Sequence, residues 1–313
     1  MDVTAFQTFK NRITENCAKI IVGKEEAIEQ IVISLIAGGH VLLEDVPGTG
    51  KTMLLRAFSR SIGGDFRRIQ FTPDLLPSDL TGIHFYNQKT GEFELRRGPL
   101  FSNFILADEI NRATPRSQSA LLEVMEERQI TIDGQTFPMQ APYMVMATQN
   151  PIESYGTFPL PEAQLDRFFM RMSLGYMTRE EELRVLSRPD SKQLLQTLEP
   201  VAGVDELTQL QKRFPEINVK KDVSAYLMDL VEYTRGHELL SVGVSTRGAL
   251  ALYRAAQIHA AVNGRDYVIP EDVKAEAVYV LPHRLVMTSR SHLDAKDFIR
   301  RGLDELAVPL ETL

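Results

Sequence analysis

The stretch His40-Val-Leu-Leu-Glu-Asp-Val-Pro-Gly-Thr-Gly-Lys-Thr52 decides how the rest of the chain is interpreted. Its first part, Val41 to Leu43, is a short apolar run typical of a buried strand, and the proline and glycines that follow force a turn. A helical pattern of apolar residues then begins at Lys51. Strand, glycine-rich turn and helix N-terminus together form a cradle whose backbone N–H groups and helix dipole favour bound phosphate.

Side chains within this stretch suit a nucleotide. Lys51 can reach the β- and γ-phosphates, and the hydroxyl of Thr52 can hold Mg²⁺. The chain departs from the general signature at Asp45, where that signature has glycine. An aspartate there needs its own stabilisation and brings negative charge near the phosphates. The alternative is a plain turn between strand and helix, but the flanking strand and helix favour a phosphate loop.

Composition narrows the possible classes of protein. A length of 313 residues suggests about two domains. The net charge of −7 argues against a general nucleic-acid binder. A single cysteine, Cys17, excludes an internal disulfide and fits a reducing compartment, so we expect a cytoplasmic protein. The N-terminus lacks the apolar core of a signal peptide, and no apolar run approaches the ~20 residues of a membrane span.

A second motif ends in two carboxylates. Residues Phe104 to Ala107 form an apolar run that leads directly into Asp108 and Glu109. Central parallel strands end at the ligand face of such a sheet, so both carboxylates are expected beside the phosphate loop. Asp108 would hold Mg²⁺, directly or through water, and Glu109 would orient and polarise the attacking water.

Another buried strand is predicted from Tyr143 to Asn150. The amide of Asn150, level with Asp108, could fix the attacking water or the γ-phosphate, and the alternative is a turn asparagine before proline. Two hairpins are also predicted. One spans residues 82–95, and the other spans 129–137 around Asp133-Gly134, the preferred pair for a tight primed turn.

The pattern changes after a fifth predicted strand at 168–174. From residue 179 to 306 the apolar spacing predicts helices, no strand pattern stands out, and residues 189–203 are linker-like. We therefore predict an α/β nucleotide-binding domain at 1–176 and a helical domain at 177–313.

The ordered motifs PGTGKT (47–52), ILADE (105–109), ATQN (147–150), LDRF (165–168) and STRG (245–248) resemble those of the AAA+ ATPases. The stretches around them are similar to the MoxR family, in the helix-2-insert group. This resemblance implies a P-loop AAA+ five-stranded parallel sheet with flanking helices, followed by an all-α lid domain. It also implies a β-hairpin insert near 82–95 and a ring, usually a hexamer, with ATP and Mg²⁺ between subunits.

The resemblance assigns roles to the later motifs. Asn150 would be the sensor asparagine, Arg167 the finger acting on a neighbour's ATP, and Arg247 the lid arginine that touches the γ-phosphate, with Arg171 as a rival finger. From the residues alone, Arg167 can equally be a surface ion-pair partner. Thr52 and Asp108 are the candidate Mg²⁺ ligands. The candidate nucleotide-binding residues are Val22, Gly23, Pro47, Gly48, Thr49, Gly50, Lys51, Thr52, Met53 and Asp108.

The family resemblance favours an ATP-hydrolysing, chaperone-like remodeller that acts with a protein carrying a von Willebrand factor A (VWA) domain, on a client that the sequence does not name. Alternatives are the motor of a metal chelatase, a nucleic-acid motor of the helicase type, and a nucleotide switch without hydrolysis. A DNA-tracking hairpin should carry cations at its tip, whereas this one has Asn87, Gln88 and a single Lys89. Nucleic acid is therefore not expected, and Glu109 argues against a switch.

Overall fold

The structure is a computed structural model that describes residues 2–45, 48–149, 156–187, 191–289 and 291–309. Its strands, numbered along the chain, are β1 Val41–Glu44, β2 Phe66–Gln70, β3 Gly82–Asn87, β4 Glu92–Arg97, β5 Phe104–Asp108, β6 Gln129–Ile132, β7 Gln135–Pro138, β8 Met144–Gln149, β9 Met170–Met172, β10 Leu240–Val242 and β11 Val286–Met287. Its helices are α1 Thr4–Ala18, α2 Glu25–Ile36, α3 Lys51–Ile62, α4 Pro77–Thr81, α5 Pro115–Glu127, α6 Glu162–Leu165, α7 Arg179–Leu186, α8 Ser191–Gln196, α9 Val204–Arg213, α10 Lys221–Gly236, α11 Thr246–Val262, α12 Pro270–Val280 and α13 Ala295–Glu305.

A five-stranded sheet organises the first part of the chain. Its strands run in the order β2-β5-β8-β1-β9, and every neighbouring pair is parallel. Because β1 and β5 lie on either side of β8, the phosphate loop after β1 and the carboxylates after β5 emerge at the same edge. The predicted fold class, a five-stranded parallel α/β sheet, is therefore confirmed.

Both faces of the sheet are covered. Successive residues of β1 alternate, with Val41 and Leu43 in one apolar cluster and Leu42 in the other. The first cluster includes α1, α2 and α3 and continues into the C-terminal helices, for example through Leu252 of α11. The second cluster includes α5. The helical region therefore shares an apolar core with the sheet.

Both predicted hairpins are present. Strands β3 and β4 pair in antiparallel register from Gly82↔Arg97 to Asn87↔Glu92, two residues beyond the predicted end. Strands β6 and β7 also pair, joined at Asp133 and Gly134, whose φ angles are +48° and +82°. Positive φ at both central residues is what a tight primed turn requires.

The C-terminal region differs from its prediction in two places. It was expected to contain helices alone, but β10 and β11 pair in antiparallel fashion. Segments of two and three residues are too short to show a periodicity, so their pairing depends on tertiary packing. Helix α8 also lies within the stretch that was predicted to be linker-like. The predicted domain boundary near residue 177 stays a prediction. Within the described residues, no helix is both long and apolar enough to cross a membrane.

Candidate nucleotide site

The phosphate loop connects β1 to α3. Gly48 and Gly50 have φ angles of +89° and +87°, in the region that favours glycine, and Gly50 directly precedes the first residue of α3. The first turn of a helix leaves N–H groups without intrahelical partners, which suits an anion. Lys51 Nζ lies 3.2 Å from the carbonyl oxygen of Asp45, so the ammonium group bends back across the loop. Pro47 lies outside the described residues, and its assignment stays a prediction.

An open cleft of about 480 Å³ lies over this loop. It brings together the ends of β1, β5 and β8 with the start of α3. Its lining residues are Asp45, Gly48, Thr49, Gly50, Lys51, Thr52, Met53, Arg56, Arg68, Asp108, Glu109, Thr148 and Gln149. The structure therefore places the predicted residues from Gly48 to Met53 in one cleft with Asp108 and Glu109.

Thr148 organises the two carboxylates. Its Oγ1 donates to Asp108 Oδ1 at 2.7 Å and accepts from the backbone N–H of Glu109 at 2.8 Å. Glu109 has a left-handed backbone, with φ 57° and ψ 50°, although it is not glycine. Such a conformation costs of order 1–3 kcal/mol and persists only where neighbouring groups hold it. Thr148 is one such group, because it bonds to the strained residue's own N–H.

Strand β2 supplies further partners for the carboxylates. Arg68 donates through Nε (3.1 Å) and Nη2 (2.6 Å) to Asp108 Oδ2, and through Nη2 to Gln70 Oε1 at 2.8 Å. Gln70 Nε2 in turn donates to Glu109 Oε2 at 2.8 Å, and Arg112 Nη1 donates to the same oxygen at 3.0 Å. The orientation of Glu109 is therefore set by two donors from outside the phosphate loop.

Asp45 receives the stabilisation that the sequence requires for it. Its side chain is 5% exposed and accepts from the N–H of Leu174 at 2.6 Å, the N–H of Gly175 at 3.2 Å and Ser173 Oγ at 2.9 Å. Residues 173–175 begin the connection from β9 to α7. The carboxylate therefore ties the phosphate loop to the segment that leads into the helical region.

Gly23 packs against α7, and the residue after it contacts the same connection. That residue, Lys24, is buried and donates from Nζ to the carbonyl oxygens of Leu174 (2.6 Å) and Tyr176 (3.3 Å). A Cβ on Gly23 would lie 1.9 Å from Glu181 Oε1 in α7, and its φ is +67°. Among the described residues neither Val22 nor Gly23 lines the phosphate cleft. Their role at the base of the nucleotide stays a prediction.

The two predicted arginines lie together, away from that cleft. Arg167 Nε is 2.9 Å from Glu126 Oε2, and its Nη1 donates to the carbonyl oxygen of Leu122 at 3.0 Å. Arg247 Nη2 pairs with the other oxygen of Glu126. Both line a separate cavity that also contains Asp166 and Arg284. The structure therefore brings the two arginines to one place, where they share a carboxylate.

Arg171, the rival finger, occupies a different environment. It lies on β9, and its Nη1 is 3.3 Å from Glu44 Oε2 at the end of β1. This ion pair joins two neighbouring strands of the sheet. Asn150 lies outside the described residues, so its sensor role stays a prediction, although Gln149 before it lines the cleft.

Oxygen donors make the cleft suitable for Mg²⁺. The Thr52 hydroxyl and the Asp108 carboxylate both line it, and hard oxygen ligands of this kind are the ones Mg²⁺ prefers. Asp108 is the last residue of β5, and its side chain is 13% exposed, so its carboxylate remains accessible from the cleft that it lines. The residues therefore fit a Mg²⁺ ion held together with nucleotide phosphates.

Several site residues were missed by sequence reasoning. Arg68, Gln70 and Thr148 are ordinary strand residues in the sequence, and only the β2-β5-β8 pairing brings them to the carboxylates. The spacing of two residues between Arg68 and Gln70 was the available signal, since it places both polar side chains on one face of a strand.

Comparisons with known proteins agree with this geometry. Residues 40–170 match the ATPase family associated with various cellular activities (AAA), and residues 232–301 match the AAA lid domain. Fold and cleft thus place the chain among the AAA+ ATPases.

Individual relatives define the family. The chain is 46% identical to the protein YeaC of Bacillus subtilis over 96% of its own length and 95% of that protein. It is 44% identical to the chaperone MoxR1 of Mycobacterium tuberculosis, over 93% of this chain and 80% of that one. A crystal structure from Cytophaga hutchinsonii, assigned as an ATPase, superposes with a TM-score of 0.90 at 38% identity, covering 98% of both chains. The chain belongs to the MoxR family of AAA+ ATPases.

Proposed function

We propose that this protein hydrolyses ATP to ADP and phosphate in the cleft over the phosphate loop. The observation that supports this most directly is the meeting of Lys51, Thr52, Asp108 and Glu109 in that single cleft. Lys51 would bind the β- and γ-phosphates, while the N-terminal turn of α3 and the left-handed Gly48 and Gly50 receive the phosphate oxygens.

Thr52 and Asp108 would hold Mg²⁺ beside these phosphates. When bound, the ion neutralises charge that develops on the phosphoryl oxygens. Glu109 orients the attacking water and accepts its proton. Gln70 and Arg112 donate to Glu109 Oε2, and so they aim the carboxylate before the substrate enters.

Arg167 and Arg247 act, in this proposal, on the ATP of a neighbouring subunit. They share Glu126, and neither lines the described part of its own phosphate cleft. A guanidinium group can meet two phosphoryl oxygens at once, which suits the charge of the transition state. This arrangement requires a ring of subunits, and the family resemblance makes a hexamer the expected size.

The β3–β4 hairpin supports a role in remodelling partner proteins. Its outer surface carries exposed apolar rings, with Tyr86 54% and Phe93 73% exposed and their centroids 5.4 Å apart. Exposed aromatic groups of this kind suit a protein surface better than a phosphate backbone. The rings therefore favour a protein partner over a nucleic-acid motor. The relatives with MoxR names, one of them called a chaperone, support our choice of a cytoplasmic, chaperone-like ATPase that works with a VWA-domain protein over a chelatase motor.

The substitution Glu109→Gln tests the ATPase. It removes the carboxylate that polarises water and keeps the shape of the side chain. Hydrolysis should fall ~10²–10⁴-fold while ATP affinity stays close to that of the parent, because Lys51, Thr52 and Asp108 remain. Phosphate release and equilibrium binding of a fluorescent ATP analogue measure the two effects.

Two control variants complete this experiment. Glu127→Gln removes an exposed carboxylate of α5 and should leave both quantities unchanged. Lys51→Ala should abolish binding as well as hydrolysis. Parental phosphate release by the Glu109→Gln variant would show that Glu109 is not the base.

A further inference from the structure

Arg284 is a buried cation that connects the helical region to the segment carrying Arg167. It lies just after α12, and its side chain is 2% exposed. Its Nε donates to Asp166 Oδ1 at 2.9 Å and its Nη2 to the carbonyl oxygen of Phe168 at 2.7 Å. A third donor, Nη1, reaches the carbonyl oxygen of Phe169 at 3.3 Å. The guanidinium group therefore bonds to the backbone just after Arg167, at Phe168 and Phe169, and to the side chain just before it, that of Asp166.

The same carboxylate contacts the start of α11. Ser245 Oγ donates to Asp166, at 3.0 Å from Oδ2 and 3.2 Å from Oδ1, and caps the helix by accepting from the N–H of Gly248. A Cβ added at Gly248 would lie 2.6 Å from Arg284 Cδ, so the arginine packs directly on the first turn of that helix. Arg247 lies in this turn. Arg284 and Asp166 thus join the segment around Arg167 to the turn that carries Arg247.

Stability alone does not account for this arrangement. Burial lowers the pKa of Arg284 to about 10, opposed by the charge of Asp166, so the side chain remains charged at neutral pH. Taking two charges out of water is costly, and well-packed apolar residues often replace a buried ion pair without loss of stability. An apolar side chain, however, could not direct three planar donors at the Asp166 carboxylate and the carbonyl groups of Phe168 and Phe169.

We propose that Arg284 is a positioning residue that sets the two arginines, Arg167 and Arg247, in register with each other, so that both meet the same nucleotide of a neighbouring subunit. This inference rests on the proposed role of Arg167. The observed contacts agree with it, because Arg167 and Arg247 converge on the two oxygens of Glu126. Arg284 itself touches no residue of the phosphate cleft among its described contacts.

The test compares Arg284→Met and Arg284→Lys with the parent chain. Arg284→Met should lower kcat for ATP hydrolysis at least tenfold and leave the Kd for a fluorescent ATP analogue within threefold. Arg284→Lys keeps the charge but lacks the planar fork, so its kcat should also fall, by a smaller factor. Parental kcat in folded Arg284→Met protein would overturn the proposal, and so would a large loss of ATP affinity.

Arg265→Met is the matched control. Arg265 also forms a two-pronged ion pair with a buried carboxylate, Asp272, at distances of 2.6 Å. It lies beyond the C-terminal end of α11, which places it about 25 Å along the helix from Arg247. This variant should lower the thermal midpoint and keep kcat within twofold. An equal loss of kcat in both variants would attribute the effect to general destabilisation and overturn the proposal.

A comparison in a second background separates positioning from a purely structural effect. In a background that lacks both arginines, Arg167→Ala with Arg247→Ala, Arg284→Met should change the residual rate, followed with radiolabelled ATP, by less than twofold, because its effect passes through those two residues. The same fold-loss in both backgrounds would overturn the proposal. If Arg284→Met does not fold, Arg284→Lys carries the same comparison. The single variant Arg167→Ala tests the proposed function separately. A parental rate of hydrolysis in that variant would show that Arg167 has no role in hydrolysis, whatever the effect of Arg284→Met.

Discussion

Asp45 places a buried carboxylate within the phosphate loop and directs it away from the loop, towards residues 173–175. Substitution by alanine leaves the N–H of Leu174 without its acceptor, and the N–H of Gly175 keeps only Ser173 Oγ, at 3.2 Å. Hydrogen bonds to a charged group contribute about 1.5–3 kcal/mol each, and a buried donor without a partner is costly. We therefore expect Asp45→Ala to lower the free energy of unfolding by about 2–4 kcal/mol, measured by urea denaturation.

Ser173→Ala is the graded control for that substitution. It removes one neutral donor to Asp45 and leaves both backbone bonds in place. Its cost should be about 1.5 kcal/mol, the lower end for a hydrogen bond to a charged group, and therefore below that of Asp45→Ala. Equal stability of Asp45→Ala and the parent would show that the carboxylate does not hold the connection to α7.

At the scale of single residues, the meeting of the motif residues in one cleft was predictable, and the side chains that hold them in place were not. Lys51, Thr52, Asp108 and Glu109 follow from their place after strands and before a helix. Thr148 could not be predicted to bond to the N–H of Glu109, because nothing local to either residue signals a contact across two strands. The same holds for Arg284, whose burial depends on packing between segments more than a hundred residues apart.

Elements with strong local patterns were predicted, and those that depend on tertiary pairing were not. Strands β1, β5 and β8 are continuous apolar runs because the sheet is covered on both faces. The β6–β7 hairpin was indicated by Asp133-Gly134. Strand β11, at Val286–Met287, has no pattern of its own and forms only where β10 lies beside it.

Helix α12 carries a fully buried ionisable group, Glu276, which accepts a hydrogen bond from Gln30 of α2. Burial raises its pKa to about 7 from 4.5, opposed by the charge of His259, with Glu29 and Asp272 adding to the rise. A folded-state pKa above the unfolded value means that the associated stability is complete below pH 4.5 and is lost as pH rises through 7. Glu276→Gln removes this loss and should preserve the bond from Gln30 Nε2, since an amide oxygen also accepts.

We expect Glu276→Gln to change stability in a pH-dependent way. We compare the free energy of unfolding of the variant minus that of the parent at two pH values. This difference should be about 2–3 kcal/mol more favourable to the variant at pH 8.5 than at pH 5, because one pKa unit corresponds to about 1.4 kcal/mol. Urea denaturation at both pH values measures this difference. Glu271→Gln, an exposed change on the same helix, should show no such difference. A pH-independent effect of Glu276→Gln would contradict the assignment.

At the scale of the whole molecule, Arg167 lies apart from the phosphate cleft, so the proposed action of Arg167 on a neighbour's ATP would leave each subunit incomplete by itself. The chain supplies Lys51, Asp108 and Glu109 at one edge of the sheet, while Arg167 and Arg247 meet at Glu126 on α5. Arg171 lies on β9, paired with Glu44 of the neighbouring strand, whereas Arg167 shares Glu126 with Arg247, and so Arg171 is the weaker candidate for a finger that acts together with Arg247. A closed ring would bring each phosphate cleft to the arginines of the next subunit.

Mixing two inactive variants tests this arrangement directly. Arg167→Ala should bind ATP but lose ~10³–10⁵ in rate, and Lys51→Ala should fail to bind ATP. In a mixed ring, an Arg167→Ala subunit carries ATP while its Lys51→Ala neighbour offers an intact arginine, so phosphate release should recover. Subunit exchange is verified in parallel by fluorescence energy transfer between labelled chains. Background activity in rings that demonstrably exchange subunits would contradict action of Arg167 across the interface, and Arg171 would then be the next arginine to test in the same mixed rings.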